Sequence, residues 1–150
     1  MQERGRQLLW HGMMLFVLGL LTGLIQEHLR NPRMGLAAHL EGLMNGTFLL
    51  ALGAAWSHVR LSPRASSLAY RTALFGTYGN WAVTILAAAF GTSAMTPLAG
   101  AGFSGQRWQE ALVTVGFVSI GIAVLTASIL LLYGFRRQRQ PTEANANHGR

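Results

Sequence analysis

Polar side chains that could do chemistry gather in one otherwise apolar segment, between about residues 36 and 58. This segment contains His39, Glu41, Asn45 and His58. Polar groups within a long apolar helix are costly, so each of them needs a partner or a function. On a helix, Asn45 lies about 13 Å from the start of the segment, and Asn80 lies about 16 Å from the corresponding end of the next one. The two carboxamides could therefore share a cavity.

A row of glycines accompanies the histidine. At about 100° per residue, one narrow face of the helix carries Gly35, His39, Gly42, Gly46 and Gly53. Gly42 and Gly46 form a GxxxG motif, which lets another backbone approach closely. Two interpretations stay open: a flat ligand lies on the glycines with His39 at its edge, or the face packs against a neighbouring helix. His11 and His58, near the other ends of their segments, are interpreted as interfacial hydrogen-bonding groups.

The residue inventory favours one class of cofactor over the others. The chain has no cysteine, which excludes disulfides, thiolate metal ligands and iron–sulfur clusters. A neutral imidazole is a suitable axial ligand for haem iron, and without a CxxCH motif the haem would be a non-covalent haem b. Paired carboxylates, an H-E-x-x-H motif and a phosphate-binding glycine loop are all missing from the sequence. Hydrolysis, phosphoryl transfer and metal-assisted proteolysis therefore have no visible machinery.

The elements that position these residues are membrane helices. The chain has 150 residues, of which 51% are hydrophobic and 11% charged, against about a quarter charged in soluble domains. Long stretches lack charge almost completely, and a bilayer-spanning helix needs about 20 mostly apolar residues. The sequence thus predicts an all-α, integral membrane four-helix bundle as a single domain. Its spans are predicted at about 8–25, 36–58, 67–91 and 110–134, with turns at Asn31-Pro32 and Ser62-Pro63, a long loop at 92–109 and a disordered polar tail at 136–150.

The positive charges indicate topology and not nucleic-acid binding. All twelve basic residues are arginines, and the formal net charge is +7. With four spans, nine arginines fall on the side of both termini and three (Arg30, Arg33 and Arg107) on the other. The positive-inside rule places both termini in the cytoplasm, and the basic surplus faces anionic lipid. Four short helices enclose little volume, so a sizeable site is expected to be shared between copies in a homo-oligomer.

Three stretches of the sequence resemble the bacterial hydroxylaminobenzene mutase family. These are NPRMGLAAHLEGLMNGTFLLALGAAW (31–56), FGTYGNWAV (75–83) and HGMMLFVLGLLTGL (11–24). That family is similar to styrene oxide isomerase, a four-helix membrane enzyme in which a histidine on the second span binds haem b and an asparagine six residues later lies at the active site. The resemblance implies a bacterial inner-membrane enzyme, and it suggests a trimer. It also implies an intramolecular reaction, in which an aromatic hydroxylamine becomes an ortho-aminophenol.

Position by position, the resemblance makes His39 the axial haem ligand and Asn45 and Asn80 the catalytic, substrate-side groups. Gly42 and Gly46 would border the haem, and Arg33, together with Arg30 and Arg107, would bind its propionates. The isomerase has an active-site tyrosine where this chain has Thr84, which disfavours the epoxide reaction and leaves the proton partner unidentified, although Tyr78 lies nearby in the sequence. The alternatives are an epoxide isomerase and a non-enzymatic membrane subunit whose glycines only pack helices.

Overall fold

The computed structural model describes residues 2–136, and within them the regular secondary structure is all helical. Four helices follow one another: α1 (Gln2–Ile25), α2 (Pro32–Ala55), α3 (Pro63–Phe90) and α4 (Arg107–Arg136). Short 3-10 turns, Gln26–His28 and Trp56–His58, follow α1 and α2. The prediction of an all-α four-helix bundle is confirmed. The predicted polar tail lies, beyond Arg136, outside the described residues.

Local sequence explains where the two central helices begin. Asn31 is fully buried, and its side-chain oxygen accepts hydrogen bonds from the backbone N–H groups of Arg33 and Met34, which caps α2. Ser62 caps α3 in the same way through Ala65 N. Pro32 and Pro63 occupy the first helical turn, where a missing N–H costs nothing. The two predicted turns are therefore helix starts with specific caps.

Glycines bring α1 and α2 into backbone contact along most of their length. A Cβ added to Gly46 would lie 2.7 Å from Phe16 N and 2.8 Å from Gly12 O, and one added to Gly53 would lie 2.8 Å from Gly5 O. Gly42 sits in the same way against Gly19. The glycine face of α2 is thus a helix-packing surface. The backbone of α1 fills the space in front of Gly42 and Gly46, which favours the packing interpretation, and the predicted contact of these glycines with a cofactor stays a prediction.

The remaining helices are added on the other side of α2. α3 packs beside α2, and α4 packs on α3. Between α3 and α4, Val124 fills the space in front of Gly76, and Val83 fills the space in front of Gly116. A core of buried side chains joins α1, α2 and α3 around Leu15 and Leu49. α2 and α4 diverge and leave a groove above α3. The α2–α3 pair therefore forms the centre of the bundle, with α1 and α4 on its two sides.

Three of the helices are long and apolar enough to cross a membrane, namely Glu3–His28, Pro63–Phe90 and Arg107–Arg136. α2 is not among them, because His39, Glu41 and Asn45 lower its hydropathy. Packing compensates for this polarity, since α2 lies between α1 and α3. Large apolar side chains are exposed on the outer faces, among them Leu125 and Ile129 on α4. Such a surface is typical of helices that face lipid.

We call the end of the bundle formed by residues 26–31 and 91–106 the loop end. Here Arg30 donates to the carbonyl oxygens of Phe90 (2.8 Å) and Ser104 (3.2 Å). The Glu110 carboxylate accepts from the backbone N–H groups of Ser93, Ala94 and Gly105, each at 3.0 Å. Asn31 Nδ2 donates to Ala99 O at 2.9 Å. The long connection between α3 and α4 is thus fastened to the bundle at several points.

Candidate active site

Three polar side chains meet between α2 and α3. Asn45 Nδ2 donates to Glu41 Oε2 at 3.1 Å, and Asn80 Nδ2 donates to the same oxygen. Glu41 and Asn45 are four residues apart and so lie one above the other on α2, while Asn80 reaches them from α3. We call Glu41, Asn45 and Asn80 the carboxamide cluster. The two asparagines are brought together, as their matching depths in the sequence suggested.

One member of the carboxamide cluster, Asn45, reaches an apolar cavity of about 250 Å³ between α2, α3 and α4. Asn45 lines this cavity, and Thr77 lies one helical turn before Asn80 on the α3 wall. The Thr77 hydroxyl donates within its own helix, to Ala73 O at 2.8 Å. The other lining residues are Met44, Phe48, Ala73, Val124, Ala127 and Ser128. The cavity is therefore apolar along most of its length, and Asn45 lies at its end closer to the loop end.

Glu41 is a site residue that the sequence interpretation did not select. It is half-buried and connects both asparagines through one oxygen. The available signal was that Glu41 is the only charged residue between Arg33 and Arg60. An isolated acid on an apolar helix is costly unless partnered. The sequence indicated a partner without saying which one, because Asn80 is thirty-nine positions away.

His39 lies on a different side of α2 from the carboxamide cluster. Its Nδ1 is 2.8 Å from Gly19 O, and a Cβ on Gly23 would lie 2.7 Å from the same nitrogen. Since a carbonyl oxygen only accepts, Nδ1 carries the proton and Nε2 keeps its lone pair. Glu41, two residues on, is rotated by about 200° around the helix. The 250 Å³ cavity of a single chain is lined by Asn45 and not by His39, so a pocket bordered by both would need a second copy of the chain and stays a prediction.

Arg33 is occupied at the loop end. Its guanidinium donates to Ala101 O and lies 5.8 Å from the centre of the Phe103 ring. Six residues separate Arg33 from His39, which places the two side chains about 120° apart around α2. Arg33 thus anchors the connection between α3 and α4, and its predicted contact with a cofactor stays a prediction.

The other candidates for a proton partner point elsewhere. Tyr78 places its hydroxyl 3.2 Å from both the backbone oxygen and Nδ1 of His11, on the α1 side. Thr84 is buried and donates to Asn80 O at 2.7 Å, within its own helix. His58 is exposed, with its Nδ1 3.3 Å from Ser57 Oγ. None of these side chains joins the carboxamide cluster.

The polar cluster, the cavity and the glycine contacts all lie within residues that match a known family. The model of the styrene oxide isomerase family matches residues 4–136. The chain belongs to the styrene oxide isomerase family. Two proteins of Ectopseudomonas oleovorans are similar to this family member over most of its length. Hydroxylaminobenzene mutase HabB is 42% identical over 144 residues, covering 94% of this chain and 88% of HabB. Hydroxylaminobenzene mutase HabA is 37% identical over 127 residues, covering 84% of this chain and 94% of HabA.

No solved structure matches the chain. The family resemblance inferred from residues 11–56 and 75–83 is confirmed, and the family match extends through α4 to residue 136. In this member of the styrene oxide isomerase family, the whole described bundle falls inside the matched region, including the carboxamide cluster and His39.

Proposed function

We propose that this chain is a membrane isomerase that converts hydroxylaminobenzene and related aromatic hydroxylamines into 2-aminophenols. The observation that carries the proposal is a carboxamide, Asn45, at the wall of an apolar cavity and linked through Glu41 to Asn80, in a chain 42% identical to a hydroxylaminobenzene mutase. Cavities of about 150 Å³ accommodate benzene. A space of about 250 Å³ therefore suits one aromatic ring with a small polar substituent.

The reaction is balanced without a second substrate. The N–O bond breaks, a C–O bond forms at the ortho carbon, and the proton of that carbon moves to nitrogen. Neither an electron carrier nor a group donor is consumed, which agrees with a sequence that has no nucleotide-binding motif. The protein has to hold the ring, stabilise charge as the N–O bond weakens, and keep bulk water away from the electron-poor ring.

The chain's own residues divide these tasks. Asn45 and Asn80 hold the polar group of the substrate through hydrogen bonds at one end of the cavity. Met44, Phe48 and Val124, which are exposed on the apolar outer surface, line the space for the ring and keep its surroundings apolar. A second apolar space of about 410 Å³, also lined by Phe48 and Ser128, continues between α2 and α4 towards the end of the bundle that carries the termini. Substrate dissolved in lipid enters through this groove.

His39 has the donor arrangement of an axial haem ligand. Metal-bound histidines usually donate their second ring nitrogen to a backbone carbonyl, and His39 Nδ1 does so to Gly19 O. The family resemblance suggests that the metal centre is haem b, and we propose that His39 Nε2 would hold it. When bound, its iron supplies a Lewis acid for the substrate oxygen.

The positions of His39 and the carboxamide cluster favour a homo-oligomer. They lie on different sides of α2, so a second copy is needed for both to border one substrate. We propose a trimer, as the family resemblance suggests, in the bacterial inner membrane with both termini in the cytoplasm. The arginine distribution supports this orientation. A haem between copies would also be compatible with the packing of the α1 backbone against the glycines of α2.

The test compares two substrates in membranes that contain the protein. Hydroxylaminobenzene is supplied in ¹⁸O-labelled water, and styrene oxide is supplied separately. We expect 2-aminophenol without ¹⁸O, because the migrating oxygen comes from the substrate. Labelled product would contradict an intramolecular transfer, and phenylacetaldehyde from styrene oxide as the main activity would favour the epoxide isomerase. Membranes without the protein provide the background, since hydroxylamines rearrange slowly by themselves.

A further inference from the structure

The hydrogen bonds of the carboxamide cluster determine which way two amides point. A side-chain amide has a donor face, Nδ2, and an acceptor face, Oδ1. Asn45 and Asn80 both direct Nδ2 at Oε2 of Glu41. In both contacts Oε2 accepts, so the N–H groups of both amides face Glu41. One side chain on α2 therefore sets the orientation of two amides on two helices.

The acceptor faces of both amides are consequently left for a ligand. Within residues 2–136, neither Asn45 Oδ1 nor Asn80 Oδ1 has a hydrogen-bond partner. The buried side-chain atoms without a partner in this part of the chain are Gln26 Oε1 and Thr92 Oγ1, so the two amide oxygens are not sealed inside the bundle. Asn45 also lines the cavity. Asn45 thus presents an acceptor oxygen at the cavity wall, and Asn80, which is not a lining residue, presents its own next to Glu41.

We infer that Glu41 is a positioning residue that makes the site select substrates carrying N–H and O–H donors at the reacting group. The inference rests on the proposed function and names its specificity. Hydroxylaminobenzene carries one N–H and one O–H, which match two acceptor oxygens. Styrene oxide carries only an acceptor and leaves both amide oxygens unpaired. A site built around hydrogen bonds discriminates strongly against a ligand that cannot make them.

A purely structural role for Glu41 makes a different prediction. If Glu41 only links α2 to α3, its loss lowers activity on every substrate by the same factor. If it orients the amides, its loss changes the ratio between substrates. Glu41→Gln separates the two, because glutamine can direct its own NH2 at one of the amide oxygens and turn that asparagine around. The readout is therefore a specificity ratio and not an activity.

The experiment uses the purified full-length protein and three substrates. These are hydroxylaminobenzene, its N-methyl derivative, which lacks the N–H, and its O-methyl derivative, which lacks the O–H. For the native protein we expect kcat/KM to fall by about tenfold for each missing donor. In Glu41→Gln the difference should shrink to about threefold or less for at least one derivative. Glu27→Gln, which changes an exposed acid at the loop end, should keep the native ratios.

A binding measurement keeps the inference testable if Glu41→Gln does not fold. Benzyl alcohol and benzaldehyde have nearly the same size, but only the alcohol donates. The native protein should be protected against thermal unfolding at about tenfold lower concentrations of benzyl alcohol. Equal protection by the two ligands, or unchanged substrate ratios in Glu41→Gln, overturns the inference. A protein that prefers benzyl alcohol but makes no 2-aminophenol refutes the proposed function and leaves the role of Glu41 standing.

Discussion

Replacing Gly46 by alanine distinguishes a helix-packing surface from a cofactor surface. The added Cβ would lie 2.7 Å from Phe16 N, 2.8 Å from Gly12 O and 2.9 Å from Phe16 Cα. All three atoms belong to the backbone of α1, so no side chain can rotate away. To restore a contact of at least 3.4 Å, α1 and α2 must separate by about 0.7 Å at this point. The substitution therefore disturbs the packing of the whole α1–α2 pair.

The expected cost follows from two opposing effects. Overpacking of this kind costs about 1–3 kcal/mol and occasionally more, and alanine regains up to about 1 kcal/mol of helix propensity relative to glycine. Gly121 is the matched control, because nothing lies within 4 Å of a Cβ at that position on α4. Gly121→Ala should be neutral or stabilising. We expect the two variants to differ by about 2 kcal/mol or more, which corresponds to at least about 5 °C in Tm.

The assay is thermal unfolding of the purified protein in detergent, and the absorbance of the proposed haem is recorded on the same samples. We expect Gly46→Ala to unfold clearly below the native protein and below Gly121→Ala. Equal Tm values for the three proteins, with haem lost only from Gly46→Ala, would refute the reasoning. That result would mean that the glycines border a cofactor and that the backbone contact with α1 does not form.

Three further substitutions test the site. Asn45→Ala should lower kcat by tenfold or more while Tm and any haem spectrum stay near native, because one substrate hydrogen bond is lost at the cavity wall. Thr47→Ala, on the exposed side of the same helix, is the control. Loss of haem from Asn45→Ala would mean that Asn45 has a structural role. Gly23→Ala should displace His39, since the new Cβ would lie 2.7 Å from Nδ1, and an unchanged Soret band would argue against His39 as the ligand. His58→Ala should leave turnover within about twofold, as the side chain is exposed; a large loss of kcat would contradict its interfacial role.

The start of each central helix is determined by residues next to it in the sequence. Caps at Asn31 and Ser62 and prolines at 32 and 63 act on their own helix starts, so the sequence predicts them without knowledge of the rest. The site is local only in part. Helical depth predicted the meeting of Asn45 and Asn80, because both positions are fixed by the rise along a helix. Glu41 was not selected, because its partner on α3 is distant in the sequence.

The amino-acid sequence by itself determined that the chain forms apolar helices, and which residues share each helical face. The distribution of charge and the 3.6-residue period are enough for that. Only the tertiary structure decided what each face meets. In a membrane protein, lipid and neighbouring helices are equally apolar, so hydropathy does not distinguish a lipid-facing surface from a packed one. The glycine face of α2 could therefore have held a cofactor, and it is the fit of its backbone against α1 that fills it and directs His39 and Asn45 to different sides of the helix.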